Sequence, residues 1–458
     1  MSSSIIQVNP EQLDTAEKRE KYAVSIIGCG QTGIQQAILL AEAGYKVTCV
    51  DTDQTVVNDI SKGKIPPPKA EMESSLKRHV KTTRLSATSD VKKAVSESDI
   101  VAITVPVKID AKKKADYSNI ETACRRIGPN LRRGSLVIIM SLTGIGVTEG
   151  LIKETLENTS GLKAGTDFGL AYSPHTMHNQ GIETTSSHQR IVAATDKSSL
   201  NAASNVLQTT TGKDVSRTGN IKAAEVAALF EVVQEDVNIA VENELALFCE
   251  KLGVDCLETH ELARTNAGDA LSRPMLANVN IQKEIYLLLE DAENLNVKLR
   301  IPSVAREINE ETAKHAANLI KDALRNCGKP LRRARVSLLG ISETPNTRGH
   351  PKRLARKITE TLEARGAKVS LYDPYVPESE MTEMHVRFKK TLTETVEGTD
   401  CAIILTAHDQ FKRLNLHKLK LVMKMPAAIV DLEGIVDPSK VEKEGFIYRG
   451  LGRGVWTK

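Results

Sequence analysis

The chain has 458 residues, 40% of them apolar and 26% charged, with a formal net charge of +4. That length exceeds what one compact core accommodates, and at roughly 150 residues per domain it predicts about three domains. A 3% aromatic content with one Trp leaves few stacking platforms for bases, and no apolar run approaches the roughly 18 residues of a membrane span, so nucleic-acid binding and membrane insertion are not expected.

Residues 1–20 mix Ser, Asn, Pro, Glu and Lys without an apolar core, which predicts a loose polar tail and no secretory signal. Seven cysteines are scattered singly from Cys29 to Cys401. They form neither a disulfide framework nor a C-x-x-C motif, so the expectation is a reducing cytoplasm and no metal. The run Val24-Ser25-Ile26-Ile27 then leads into Gly28-Cys29-Gly30-Gln31-Thr32-Gly33 and a helical stretch from Ile34 to Ala43. A second short apolar stretch ends on Asp51, 23 residues after Gly28. Strand, three spaced glycines, helix and acid together describe a dinucleotide site. The first Gly permits the turn, the second lets the backbone approach a pyrophosphate, and the third lets helix and strand pack closely. A carboxylate at Asp51 accepts hydrogen bonds from a ribose diol and repels a 2′-phosphate, which predicts NAD rather than NADP.

Strand-like runs follow at Ile100 to Val105, Leu136 to Ser141, Phe168 to Ser173 and Arg190 to Ala194. Their alternation with helical runs predicts a parallel, doubly wound sheet across residues 21–212, with ligands beyond the carboxyl ends of its strands. His175 and His178 fall just past one such end. A His there suits general-base chemistry on a hydroxyl, or is an ordinary polar loop residue. Residues 213–328 read as helical. One helix runs from Ile221 to Leu252, with apolar residues at Val226, Leu229, Val233, Val237, Ala240, Phe248 and Leu252. A further helical zone extends from Leu276 to Asn326, broken at Pro302. Strands at Arg335 to Ile341, Lys368 to Tyr372, Cys401 to Thr406 and Ala428 to Asp431, with a helix over Lys352 to Arg365, make residues 329–458 a second open α/β domain. The expected fold class is therefore α/β, two Rossmann-like open parallel-sheet domains joined by a helical central domain.

The fingerprint with Asp51, Val105-Pro106, Ser141, Ser173-Pro174, Ala224-Glu225, Asn243-Glu244, Arg306 to Glu310, Pro345-Asn346-Thr347, Tyr372-Asp373-Pro374 and Ile404 to His408 resemble, in order, the motifs of the UDP-glucose/GDP-mannose dehydrogenase family. The resemblance implies an NAD domain, a helical middle that forms a homodimer, and a C-terminal domain that binds a UDP-sugar. It places the cofactor on Gly28, Gly30, Gln31, Thr32, Gly33, Asp51, Val105, Pro106 and Ser141, and the substrate on Asn346 and Arg348.

The family's chemistry is a four-electron oxidation in which a Cys traps the sugar aldehyde and carries it to a thioester. Six positions of this chain depart from that pattern. Asn280 stands at the Cys, Glu284 at the following Asp, Leu142 at the Thr beside Ser141, His175 at the Glu after Ser-Pro, and Ala228 and Val232 at a Lys and an Asn of the long helix. An amide nitrogen is no nucleophile, and loss of the Lys removes a cation for an oxyanion. His175, Asn280, Lys283 and Glu284 are the candidate reactive positions, Lys283 and Glu284 being equally readable as first-turn charges. Two readings follow: an NAD-dependent oxidoreductase on a UDP-sugar CH–OH without the thioester route, or a noncatalytic relative that binds NAD and a UDP-sugar to sense or assemble.

Overall fold

The computed structural model describes residues 4–65, 70–175, 190–211, 214–267, 283–342, 345–346, 351, 353–376 and 387–454. By contacts the chain divides into two units, residues 1–232 with 283–298 and residues 233–282 with 299–458.

The first unit is an eight-stranded sheet: β1 Ala23–Ile27, β2 Lys46–Val50, β3 Leu85–Thr88, β4 Ile100–Ile103, β5 Leu136–Ile139, β6 Gly169–Tyr172, β7 Ile191–Ala194 and β8 Ser216–Thr218, in the order β8-β7-β6-β5-β4-β1-β2-β3. The inner strands read as continuous apolar runs because both faces are covered. Ile26, Cys49 and Ala102 belong to one apolar cluster, and Ile27, Val50 and Ile103 to the other. The order reverses at β1, which pairs with β2 on one side and β4 on the other, so Ile27 lies between Val50 and Ile103. Sheets of this kind bind ligands at such a reversal. Helix α1, Gln31–Glu42, follows β1 and packs on one face. Helix α2, Ser118–Ile127, covers the other through Ile120, Cys124 and Ile127, spaced four and three apart.

Two expectations need correction here. The sheet is not wholly parallel, since β7 runs antiparallel to β6 with Tyr172 opposite Ala193. Residues 5–19 are not a loose tail: Ile5, Val8 and Leu13 are buried, and Ser4 Oγ donates to the Gly134 carbonyl at 2.9 Å. Asn205 Nδ2, on helix α3 (Lys197–Gln208), holds the Val8 carbonyl at 3.2 Å. The isolated apolar residues of that segment find partners only in the tertiary fold.

Helix α4 is continuous from Ile221 to Leu252, and the chain passes from the first unit to the second at Val232. Of its apolar residues, Leu229 and Ala240 are buried, whereas Phe248 and Leu252 are about 60% exposed, at 60% and 61%. Helix α5 spans Ile285–Asn294 and α6 spans Arg300–Asn326. The break between them lies at 295–299 and not at Pro302, as the sequence pattern had it. Pro302 sits in the first turn of α6, where its missing N–H would have had no intrahelical partner. Within the second unit, α4 and α6 join through a buried polar lock: Arg306 Nη1 donates to Asp236 Oδ1 at 2.7 Å, and Asn309 Nδ2 to the same oxygen at 3.0 Å.

The second sheet contains β9 Arg335–Leu339, β10 Lys368–Tyr372, β11 Arg387–Phe388, β12 Cys401–Ile404, β13 Ala428–Asp431, β14 Ile447–Gly450 and β15 Arg453–Gly454, in the order β11-β10-β9-β12-β13-β14-β15. It is parallel except for β15, and α7, Arg353–Ala364, covers one face with α6. The two Rossmann-like sheets and the intervening helices agree with the expected α/β class.

Candidate cofactor and active site

The turn after β1 carries the first site. Gly28 has φ +96°, and a Cβ on it would lie 3.1 Å from Val105 Cγ2. At Gly33 a Cβ would come within 2.0 Å of the Gly28 carbonyl oxygen and 2.8 Å of Thr104 Oγ1, so only glycine lets α1 approach the strand. A Cβ at Gly30 would meet no atom within 4 Å. Its glycine is not demanded by the protein's own packing, and the open approach fits a pyrophosphate laid against the N-terminus of α1. Gly30 is the N-cap residue of that helix, and Gln31 and Thr32 are its first two residues, half-buried beside the turn.

Asp51 ties the turn together. Its Oδ2 accepts the Cys29 N–H at 2.7 Å and its Oδ1 accepts the Asp53 N–H at 3.0 Å. It lines a cavity of about 390 Å³ together with Gly28, Gly30, Val105 and Pro106, on the scale of a small-ligand pocket. Ser141, at the end of β5, is buried and donates to the Val105 carbonyl at 2.7 Å, so it braces the cofactor wall.

The sequence reading missed the opposite wall, made by Asn119, Thr122, Ala123 and Arg126 of α2. These residues recur at three- and four-residue steps, out of phase with the buried Ile120, Cys124 and Ile127. That polar stripe was the available signal.

The loop after β5 is gripped by two acids. Glu225 of α4 accepts from Gly146 N at 2.6 Å, Thr148 N at 3.0 Å and Thr143 Oγ1 at 3.3 Å. Asp291 of α5 accepts from Ile145 N at 2.8 Å. Burial raises the pKa of both carboxyls, against the hydrogen bonds that favour their charged forms. Ala228 and Val232 follow Glu225 at three and seven residues, on the same helical face, and both are buried. Leu142, in the gripped loop's first residues, is buried as well.

His175 is buried at the β6 end, and its backbone N–H donates to the Met140 carbonyl at 3.2 Å. Lys283 and Glu284 are half-buried and stand immediately before α5, with the Lys283 carbonyl accepting from Tyr286 N at 3.0 Å. Neither lines the cofactor cavity. His178, Asn280 and Arg348 lie outside the described residues. In the second unit Asn346 is exposed with φ +56°; its N–H donates to His408 Nδ1 at 2.8 Å and its Oδ1 accepts from Asp409 N at 2.9 Å. Its side-chain oxygen thus already serves the neighbouring loop after β12.

Fold and turn define an NAD-binding α/β protein. The NAD-binding domain model of the UDP-glucose/GDP-mannose dehydrogenase family matches residues 22–211, its central-domain model residues 222–311 and its UDP-binding domain model residues 338–438, and the chain belongs to that family. It is 31% identical to the UDP-N-acetyl-D-mannosamine dehydrogenase of Pyrococcus horikoshii over 94% of this chain and 99% of that one. Against a UDP-glucose 6-dehydrogenase of Bacillus subtilis the identity is 25%, over 94% of this chain and 93% of the relative. Among solved structures, that of the Pyrococcus horikoshii UDP-D-ManNAc dehydrogenase superposes with a TM-score of 0.84 at 28% identity, covering 95% of this chain and all of the other, 100%. No helix among the described residues is long and apolar enough to cross a membrane.

Proposed function

We propose that this chain is an NAD-dependent oxidoreductase that moves one hydride between a CH–OH group of a UDP-sugar and its cofactor, without a thioester intermediate. The Asp51-latched turn with its open approach at Gly30 is the observation that carries the cofactor half of this reading. Bound NAD would supply the hydride acceptor. The relatives named for UDP-N-acetyl-D-mannosamine and UDP-glucose support a nucleotide sugar as the other substrate.

The chain's own groups then have two tasks. The Glu225 and Asp291 grips hold the loop beyond β5 in one conformation, which keeps the end of the sheet ordered for a reacting pair. His175, at the adjoining β6 end, is the group we assign to take the hydroxyl proton and return it in the reverse direction. With Asn280 at the nucleophile position no covalent aldehyde adduct forms, and oxidation stops at the carbonyl.

The buried apolar residues Leu142, Ala228 and Val232 favour one other reading, a protein that binds NAD and a UDP-sugar without turnover. The two separate on one assay: NADH formation from NAD with UDP-N-acetyl-D-mannosamine or UDP-glucose supports the oxidoreductase. Ligand-induced thermal stabilisation with no NADH from either sugar supports the sensor.

We also propose that a second copy covers α4. Val241, Leu245, Phe248 and Leu252 recur at steps of four, three and four, and each is 46% exposed or more. A stripe of that spacing suits helix pairing. Light scattering should give a dimer for the native chain and a monomer for Leu245→Glu with Phe248→Glu; a native monomer at micromolar concentration contradicts the assignment.

A further inference from the structure

Arg190, immediately before β7, is 8% exposed. Its Nη1 donates to Gln36 Oε1 of α1 at 2.7 Å, while Nε and Nη2 have no partner among the described residues. Among the described residues no carboxylate offsets the burial, which pushes its pKa down to about 10, so the group stays charged at neutral pH. Other buried arginines of this chain are compensated: Arg306 by Asp236 at 2.7 Å, and Arg449 by Asp322 at 2.8 Å. A buried charge with one neutral partner is strongly destabilising on its own, and such a group is retained where something else answers it.

The position says where the answer comes from. Because β7 runs antiparallel to β6, with Tyr172 opposite Ala193, the start of β7 lies beside the end of β6. Arg190 therefore stands at the carboxyl end of the parallel strands, on the level of Ser173 and His175. Ser173 is fully buried, and its Oγ likewise has no partner among the described residues. Gln36 Nε2 adds a third buried donor.

We propose that Arg190 is an anion receptor, whose guanidinium edge not used by Gln36 takes a phosphate or carboxylate oxygen of a ligand bound at this end of the sheet. A planar fork with two N–H groups on one edge suits either oxyanion. The anion comes from the cofactor pyrophosphate or from the substrate side, and the assignment does not depend on whether the sugar is turned over.

The test uses calorimetric titration of the full chain with NAD, with UDP-glucose and with UDP-glucuronate, comparing the native protein with Arg190→Met and Arg190→Lys. Loss of a charge-assisted pair should weaken the ligand that carries the anion about tenfold or more in Arg190→Met, and less in Arg190→Lys. Weakened NAD places the cofactor pyrophosphate on Arg190, equal weakening of both UDP ligands places the substrate diphosphate there, and weakening of UDP-glucuronate alone places a sugar carboxylate there. Without ligand, Arg190→Met should melt at a higher temperature than the native chain, since an unanswered charge has been replaced by an apolar stem. Affinities within twofold of native for all three ligands in both variants overturn the proposal, as does a native chain that binds none of them. Asp51→Ala, which should weaken NAD alone, keeps failure of the cofactor site distinct from failure of this one.

Discussion

The two Rossmann-like sheets use the same latch and put it to opposite ends. In each, an acid at the end of the second strand accepts backbone N–H groups from the turn after the first. Asp51 takes Cys29 N and Asp53 N, remains half-buried and faces the cofactor cavity. Asp373 takes Ile341 N at 2.7 Å, Ser342 N at 2.8 Å and Tyr375 N at 2.7 Å, meets His408 Nε2 at 3.2 Å, and is buried. Despite burial, those donors and the His408 ring hold its pKa below the usual carboxylate value. An acid at this point in the fold is therefore a turn-holder by default. It is free to read a ribose only where, as at Asp51, the structure leaves it a face to a cavity.

Removing the two acids in turn separates their roles. Asp373→Ala strands several buried donors and should cost about 3–5 kcal/mol, lowering the melting temperature by about 10 °C. Asp51→Ala strands the Cys29 N–H and should lower the melting temperature less than Asp373→Ala does, while weakening NAD about tenfold or more. It should also erase the preference for NAD over NADP that thermal shift shows in the native chain. Equal NAD losses in both variants would mean that the second acid is not merely structural.

The glycines sharpen it further. Gly33→Ala should damage stability and cofactor binding together, because its Cβ would lie 2.0 Å from the Gly28 carbonyl oxygen. Gly30→Ala meets nothing within 4 Å, so denaturant midpoints should stay put while NAD affinity falls. An unaffected NAD affinity in Gly30→Ala would place the pyrophosphate elsewhere.

A smaller effect is the response to acid, which differs in sign between two acids, one in each unit. Asp373 has a depressed pKa, so its stabilisation is complete above the unfolded value of 3.8 and is lost as pH falls through the lower folded value. Glu225 in the first unit has a raised pKa, so its charged form costs stability at neutral pH, and mild acidification relieves that cost as pH falls through the raised value. Hydrogen exchange resolved by segment should therefore show residues 142–148 gaining protection on mild acidification while residues 340–342 hold theirs. Glu225→Gln should reduce the gain, leaving the part that comes from Asp291.

Much of this was legible in the sequence, for identifiable reasons. Buried parallel strands announce themselves as apolar runs, which is why β1, β10 and β13 were placed within a residue, and α4 was bounded at Ile221 and Leu252. The edge strands β3, Leu-Ser-Ala-Thr, and β8, Ser-Arg-Thr, bury little and carry no such pattern. Ile5, Val8 and Leu13 look like isolated apolar residues until α3 covers them. The turn glycines and Asp51 were readable because their chemistry is local. Arg190 was not, because only the pairing of β7 with β6 reveals that a guanidinium lies buried beside Gln36.

The proposed chemistry uses a first unit able to hold NAD and carries oxidation no further than the carbonyl. The most direct measurement is the ratio of NADH formed to UDP-N-acetyl-D-mannosamine or UDP-glucose consumed, with the sugar product identified by mass spectrometry. A single NADH per sugar and a carbonyl product is the predicted result; two NADH per sugar with a uronate would contradict it.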